Sequence, residues 1–275
     1  MSSDFITFPF IKNGMILDDK DAPRCGLTVQ SCGSMRFRWN EENNLRQKKL
    51  SQISNKFDGK TFVPVEQNHT KIVYDVKNPD DTNGLVGDGI ITDNKNIIPT
   101  VTVADCVPIY FFDPVTHVFG IVHSGWKGTG IIQKALQLAE NNYKAHPQDF
   151  CVAIGPHIHN CCYIVDSNRA EFFTDNFGNE CVKPLEKNVH VDWKFSETCK
   201  DRTLYRLSLA QANLFLLQKI GVKKENIFVH EDCTCCSKVS VNSSLSYSSH
   251  SPRILNGVIS MFHGKSFCQS CSVWA

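Results

Sequence analysis

Three short segments carry residue types that do metal chemistry: QNH at 67–69, ADC at 104–106 and HSGWKG at 123–128 supply His69, Cys106 and His123. Neutral imidazole and thiolate are natural ligands of zinc, and three protein ligands with a fourth position left for water is the catalytic arrangement. The three positions lie far apart and match none of the compact metal-binding spacings, so spacing leaves them open between ligands and ordinary core or surface residues. Ligand type does not name the metal either, since copper also takes imidazole and thiolate.

The third segment offers a second kind of chemistry. Gly125, Gly128 and Gly130 permit a tight turn into the apolar-periodic stretch 130–145, and unpaired amides at a helix start favour an anion such as phosphate, with Lys127 beside them. A plain strand-to-helix turn accounts for the same residues. Asp105, next to Cys106, points away from it if the chain is extended, which suits a hydrogen-bond network behind the ligand.

The elements that must position these groups are readable in outline. Apolar, β-rich runs occur at 62–65, 98–103, 107–112, 118–122, 151–154, 227–230 and 257–262. Two helices are expected, over 130–145 with Ile131, Ile132, Ala135, Leu136 and Ala139 on one face, and over 203–220 with Leu207, Ala210, Leu214 and Leu217, stopped by Gly221. The polar stretch 40–60 reads as a helix and loop. Strands that follow one another directly as well as alternating with helices predict mixed sheets flanked by helices, an α/β or α+β class. No repeat or linker divides residues 1–275, so one domain is expected.

Composition narrows the partners. With 29 Lys plus Arg against 28 Asp plus Glu there is no broad cationic field for nucleic acid or an anionic membrane, so a small-molecule partner is expected. No run reaches the roughly 20 apolar residues of a bilayer span, and the first residues lack a secretory pattern; a cytoplasmic protein is the expectation. The 13 cysteines are odd in number and two are adjacent, Cys161 and Cys162, which suits reduced thiols. Cys233, Cys235 and Cys236 cluster, and Cys268 and Cys271 form a CxxC, leaving a second, structural zinc site open beside ordinary buried thiols.

Taken in order, QNHT, GDGIIT, TVADCVPI, HSGWKGT, IGPHIHNCCYIV, RLSLAQANLFLLQKIGV and EDCT run over about two thirds of the chain. This series resembles the laccase-domain, or polyphenol oxidase, family, which includes zinc-dependent purine nucleoside phosphorylases with adenosine deaminase activity. The resemblance implies the laccase-domain fold and one zinc ion on His69, Cys106 and His123. It implies phosphorolysis of adenosine and inosine to free base and ribose 1-phosphate, and water activated for deamination of adenosine to inosine. The substrates would be purine nucleosides and inorganic phosphate, for a monomer or homodimer. Asp88 of GDGIIT then stands near the site as a general acid or base, or as a turn aspartate, and Asp105 as its companion. His157, Tyr163 and Trp126 are weaker candidates for lining the purine pocket.

The chain departs from the family pattern at two places. Gln30 in LTVQSCGS occupies the position of an arginine, and SYSSHSPR replaces an arginine-rich segment, leaving Arg253, with Lys127, to meet phosphate; Arg36 and Arg38 are the reserves. Phosphorolysis is weakened if these do not compensate, while deamination survives. The alternatives are a copper-dependent polyphenol oxidase, which needs further histidine-rich copper sites that His157 and His159 do not supply, and a metal- or nucleoside-binding protein with reduced catalysis.

Overall fold

The computed structural model describes residues 5–19, 22–28, 32–55, 60–186, 203–236 and 257–260. In chain order the strands are β1 (Phe5–Phe8), β2 (Ile11–Lys12), β3 (Met15–Ile16), β4 (Cys25–Thr28), β5 (Thr61–Pro64), β6 (Val73–Asp75), β7 (Gly89–Thr92) and β8 (Ile97–Val103). They continue as β9 (Val107–Phe112), β10 (Phe119–Ser124), β11 (Cys151–Ile154), β12 (Ile164–Asp166), β13 (Val182–Pro184), β14 (Leu204–Leu207), β15 (Ile227–Val229) and β16 (Gly257–Ser260). The α-helices are α1 (Asn44–Ser54), α2 (Ile131–Tyr143), α3 (Ser167–Phe177) and α4 (Leu209–Lys219).

Two sheets dominate, one in the order β1-β4-β16-β8-β5 and one in the order β15-β11-β9-β10-β7-β6, with smaller sheets β12-β14-β13 and β2-β3. Both large sheets are mixed: β5 runs parallel to β8, β6 to β7 and β11 to β15, while the remaining pairs within them are antiparallel. The fold is therefore mixed α/β, and each strand expected from the sequence recurs with its described ends within two residues, residues 261–262 of the last lying outside the described residues.

The layering follows from strand alternation. Along β9 Val107, Ile109 and Phe111 face one apolar cluster, shared with the inner faces of α2, α3 and α4, while Tyr110 and Phe112 face another, shared with Phe8, Leu27, Val101 and Val103 of the other sheet. A sheet covered on both faces needs apolar residues at successive positions, which is why VPIYFF reads as a continuous run. The chain passes from one large sheet to the other between β8 and β9, and the residues that make the crossing are Ala104, Asp105 and Cys106.

One expected helix is shorter than its leucine spacing suggests. Residues 204–207 are β14, paired with β12 and β13, and the helix starts only after Ser208, whose hydroxyl accepts from the Gln211 amide at 3.2 Å. Leu207 continues the helical spacing by coincidence; sheet partners distant in sequence decide its state. Among the described residues no helix is long and apolar enough to cross a membrane.

The core predicts an alkaline instability. Burial pushes the Cys25 thiol and the Tyr110 phenol well up, and holds Cys151 and Cys181 at about 11 against an ordinary 9. Folded pKa values above unfolded ones stabilise the fold fully below pH 9, and that contribution is lost as pH rises through 11, by up to about 1.4 kcal/mol per pH unit for each group. Urea midpoints should fall steeply between pH 9 and 11, and less steeply in Cys151→Ala; a flat profile contradicts the assignment.

Candidate metal centre

His69 ends a loop that leaves β5 and is held by its neighbours' backbone. The Gln67 side chain pairs with β8 as a strand backbone would, its Oε1 accepting from the Thr102 amide at 2.5 Å and its Nε2 donating to the Thr102 carbonyl at 2.8 Å. The Arg38 guanidinium donates to the Gln67 carbonyl at 2.8 Å. His69 itself has φ 54, the left-handed region where a non-glycine residue is strained and needs support from its surroundings.

Asp88 supplies that support. Its fully buried carboxylate accepts from the amides of Asn68 (3.4 Å), His69 (3.1 Å) and Thr70 (2.6 Å), from the Thr70 hydroxyl (2.6 Å) and from His123 Nδ1 (2.8 Å). The Asp88 carbonyl also accepts from the His123 amide at 2.7 Å. One side chain thus fixes the loop of the first histidine and the ring of the second, leaving Nε2 of His123 for another partner. Burial would raise the Asp88 carboxyl, but the hydrogen bond and charge of His123, with Thr70, hold it below its ordinary range.

Cys106 enters at the crossing between the sheets, and its Sγ lies 3.9 Å from His69 Nε2. The rings of His69 and His123 stand 4.9 Å apart, and the three ligand atoms lie within 4.8 Å of one another. Burial opposes charge here, yet the two histidines outweigh it and bring the Cys106 thiol down to about 7, while the thiolate and Asp88 outweigh it at His123 and hold that imidazole up at about 10. A tetrahedral ion bound at about 2.3 Å to sulfur and 2.0 Å to nitrogen spaces such donors by roughly 3.5 Å, so this nitrogen, nitrogen and sulfur set fits a divalent metal. The order of exposure, His69 outermost and His123 buried, leaves the open side toward solvent.

Gly125 is required by this geometry. A Cβ there would lie 2.8 Å from His69 Cδ2 and 3.0 Å from Cys106 Sγ. Gly125→Ala is expected to weaken metal binding roughly tenfold or more by displacing two ligands, measured by competition with a chelator; unchanged affinity would show that the ligands do not converge as described.

The remaining sequence candidates separate. Asp105 turns to another segment, its Oδ1 accepting from the Thr234 hydroxyl at 3.0 Å. Lys127 is exposed, with Nζ 5.3 Å from the Trp126 ring. The amides at the start of α2 are less available than expected, because those of Ile131 and Gln133 donate to the Gly128 and Gly130 carbonyls. Arg36 and Arg38 are engaged by Glu41 and Glu66. His157 and Tyr163 are buried, with His157 Nδ1 on the Gly155 carbonyl at 2.8 Å, so they belong to the core; Trp126 is half-buried under the Arg169 guanidinium. Gln30 and Arg253 lie outside the described residues. Sequence reasoning missed Thr70, Gln67 and Asn213, whose amide oxygen accepts from Ser124 beneath the HSGWKG turn; only the invitation of QNHT to a buried carboxylate hinted at the first.

A two-sheet mixed fold that gathers two histidines and a cysteine near the crossing between its sheets has the form of a laccase-like domain. The chain belongs to the multi-copper polyphenol oxidoreductase laccase family, whose model matches residues 37–250. It is 33% identical over 187 residues to the purine nucleoside phosphorylase YlmD of Geobacillus stearothermophilus, a match covering 64% of each chain. It is 34% identical over 199 residues to the purine nucleoside phosphorylase of Borreliella burgdorferi, covering 69% of this chain and 79% of that one. The solved structure of the Geobacillus YlmD superposes with a TM-score of 0.64 at 26% identity, over 76% of this chain and 81% of the other.

Proposed function

We propose that the chain is a zinc-dependent purine nucleoside phosphorylase that also deaminates adenosine, using one centre for both reactions. The observation that carries this reading is the convergence of His69, Cys106 and His123, oriented by Asp88, at a side open to solvent. The names of its relatives supply the substrate class. Zinc held by these three residues would supply Lewis acidity and an activated water at neutral pH.

The chain's own residues divide the rest of the work. Asp88, sealed from substrate, is a positioning residue acting through His123, and the acid–base role first considered for it passes to groups on the open side. Asp105 holds the segment around Thr234 against the crossing that bears Cys106. Lys127 and Arg253 attract phosphate, with Gln30 offering only a neutral amide hydrogen bond; an oxygen of the phosphate attacks C1′ as the C1′–N9 bond breaks and the departing purine takes a proton. Copper-dependent phenol oxidation is the weaker reading, because the other ligand-rich group among the described residues consists of cysteines and not histidines.

The test is metal removal and return. Chelated protein should leave adenosine and inosine intact, and zinc should restore base and ribose 1-phosphate only when phosphate is present, with inosine formed from adenosine in its absence. Turnover unaffected by chelation, or oxygen consumption with phenols after copper loading, would sink the proposal.

A further inference from the structure

The cysteine cluster lies apart from the histidine centre, and no step above uses it. Cys161 and Cys162 occupy the turn after β11, where the amides of Cys162 and Tyr163 both donate to the His159 carbonyl at 3.0 and 2.9 Å. Cys233 and Cys236 occupy the turn after β15, at the C-x2-C spacing of zinc sites. The backbone already fastens the two turns together: the Thr234 amide donates to the His157 carbonyl at 2.9 Å, and the His159 amide to Cys233 Sγ at 3.4 Å.

All four sulfurs lie within 4.8 Å of one another, with Cys161 Sγ 3.5 Å from Cys236 Sγ and 3.8 Å from Cys162 Sγ. Four sulfurs placed tetrahedrally at about 2.3 Å from zinc are spaced by about 3.8 Å. The Arg206 guanidinium fixes the backbone of the first turn, its Nη1 donating to the carbonyls of Cys161 at 2.6 Å and Asn160 at 3.2 Å while its Nε pairs with Glu186 at 2.9 Å. Cys161 and Cys236 are exposed and Cys233 is buried, which gives an ion a way in and an anchored floor.

We propose that Cys161, Cys162, Cys233 and Cys236 form a second metal site, a closed four-thiolate zinc centre that staples the turn after β15 to the turn after β11. With all four positions filled by protein the ion is structural. Its effect reaches the first centre indirectly, because Thr234, between two of the ligands, donates to Asp105 beside Cys106. The proposal stands independently of the activity assigned to the histidine site.

Zinc per chain, measured on full-length protein purified under reducing conditions, tests it. Two equivalents are expected for the unaltered chain, one for Cys106→Ser, and one for each of Cys161→Ser and Cys236→Ser. The ion remaining in Cys106→Ser should show four sulfur neighbours by X-ray absorption, a readout that decides the matter even if a cysteine variant of the cluster fails to fold. No ion in Cys106→Ser, nitrogen or oxygen in its coordination shell, or two equivalents retained by Cys161→Ser would overturn the proposal. So would a chain two hydrogens lighter, with Cys161 linked to Cys236 as a disulfide.

Discussion

Cys106→Ala is expected to lose the ion of the histidine centre and to lower nucleoside phosphorolysis by about a thousandfold or more. The thiolate is the sole anionic ligand of the three, and at about 7 its pKa makes it available at neutral pH, where an ordinary thiol at 9 would be largely protonated. Removing it leaves two neutral imidazoles as the remaining nitrogen donors, with no anionic ligand to hold a divalent ion. Lewis-acid stabilisation of several kcal/mol disappears with the ion, and each 1.36 kcal/mol is a factor of ten in rate. Alanine leaves a small cavity at a half-buried position, so folding should survive, and circular dichroism and thermal unfolding would separate lost chemistry from lost structure. Activity within tenfold of the parent, with the fold intact, would remove Cys106 from the centre.

Asp88→Asn should produce the second largest effect, by a different route. The side chain keeps its shape but exchanges one acceptor oxygen for a donor in a place where five donors converge: three amides, a hydroxyl and His123 Nδ1. At least one buried donor must then face another donor, at a cost of about 2–4 kcal/mol of stability. The loop that keeps His69 at φ 54 loses its clamp, and the His123 ring loses the partner that fixes its tautomer. Zinc affinity is expected to fall about 10- to 100-fold, while saturating zinc restores most of the turnover, since the Asp88 carboxylate is fully buried and taken up by those five donors. Chelator competition alongside urea unfolding measures both parts. Undiminished affinity would reduce Asp88 to a turn residue, and turnover lost at saturating zinc would return it to acid–base work.

What the sequence disclosed and what it hid follow a physical line. His69, Cys106 and His123 stood out by residue type alone; their spacing left them open, the resemblance of the ordered motifs grouped them, and the fold brings their ligand atoms within 4.8 Å of one another. The doubly buried strand β9 was legible from its unbroken apolar run, and the α2 face from its spacing. The boundary of α4 was not, because Leu204–Leu207 is committed to β12 and β13 by pairings that no local periodicity encodes. The task of Asp88 was hidden for a similar reason: GDG looks like a turn until the amides of residues 68–70 are seen to fold back onto it. The thiol cluster was half visible as Cys233, Cys235 and Cys236, but its other half, Cys161 and Cys162, comes from a turn more than seventy positions earlier, and Cys235 is not among the four. Cys268 and Cys271 lie outside the described residues.

The centre built by His69, Cys106 and His123 is proposed to serve phosphorolysis of a purine nucleoside. The most direct test is to give zinc-loaded protein inosine together with phosphate whose oxygens are isotopically heavy, and to weigh the sugar product. The expected product is ribose 1-phosphate whose C1′ is joined to a heavy oxygen, formed by the parent chain and not by Cys106→Ala. Free ribose carrying an oxygen from solvent, or ribose 1-phosphate formed equally well by Cys106→Ala, would contradict it.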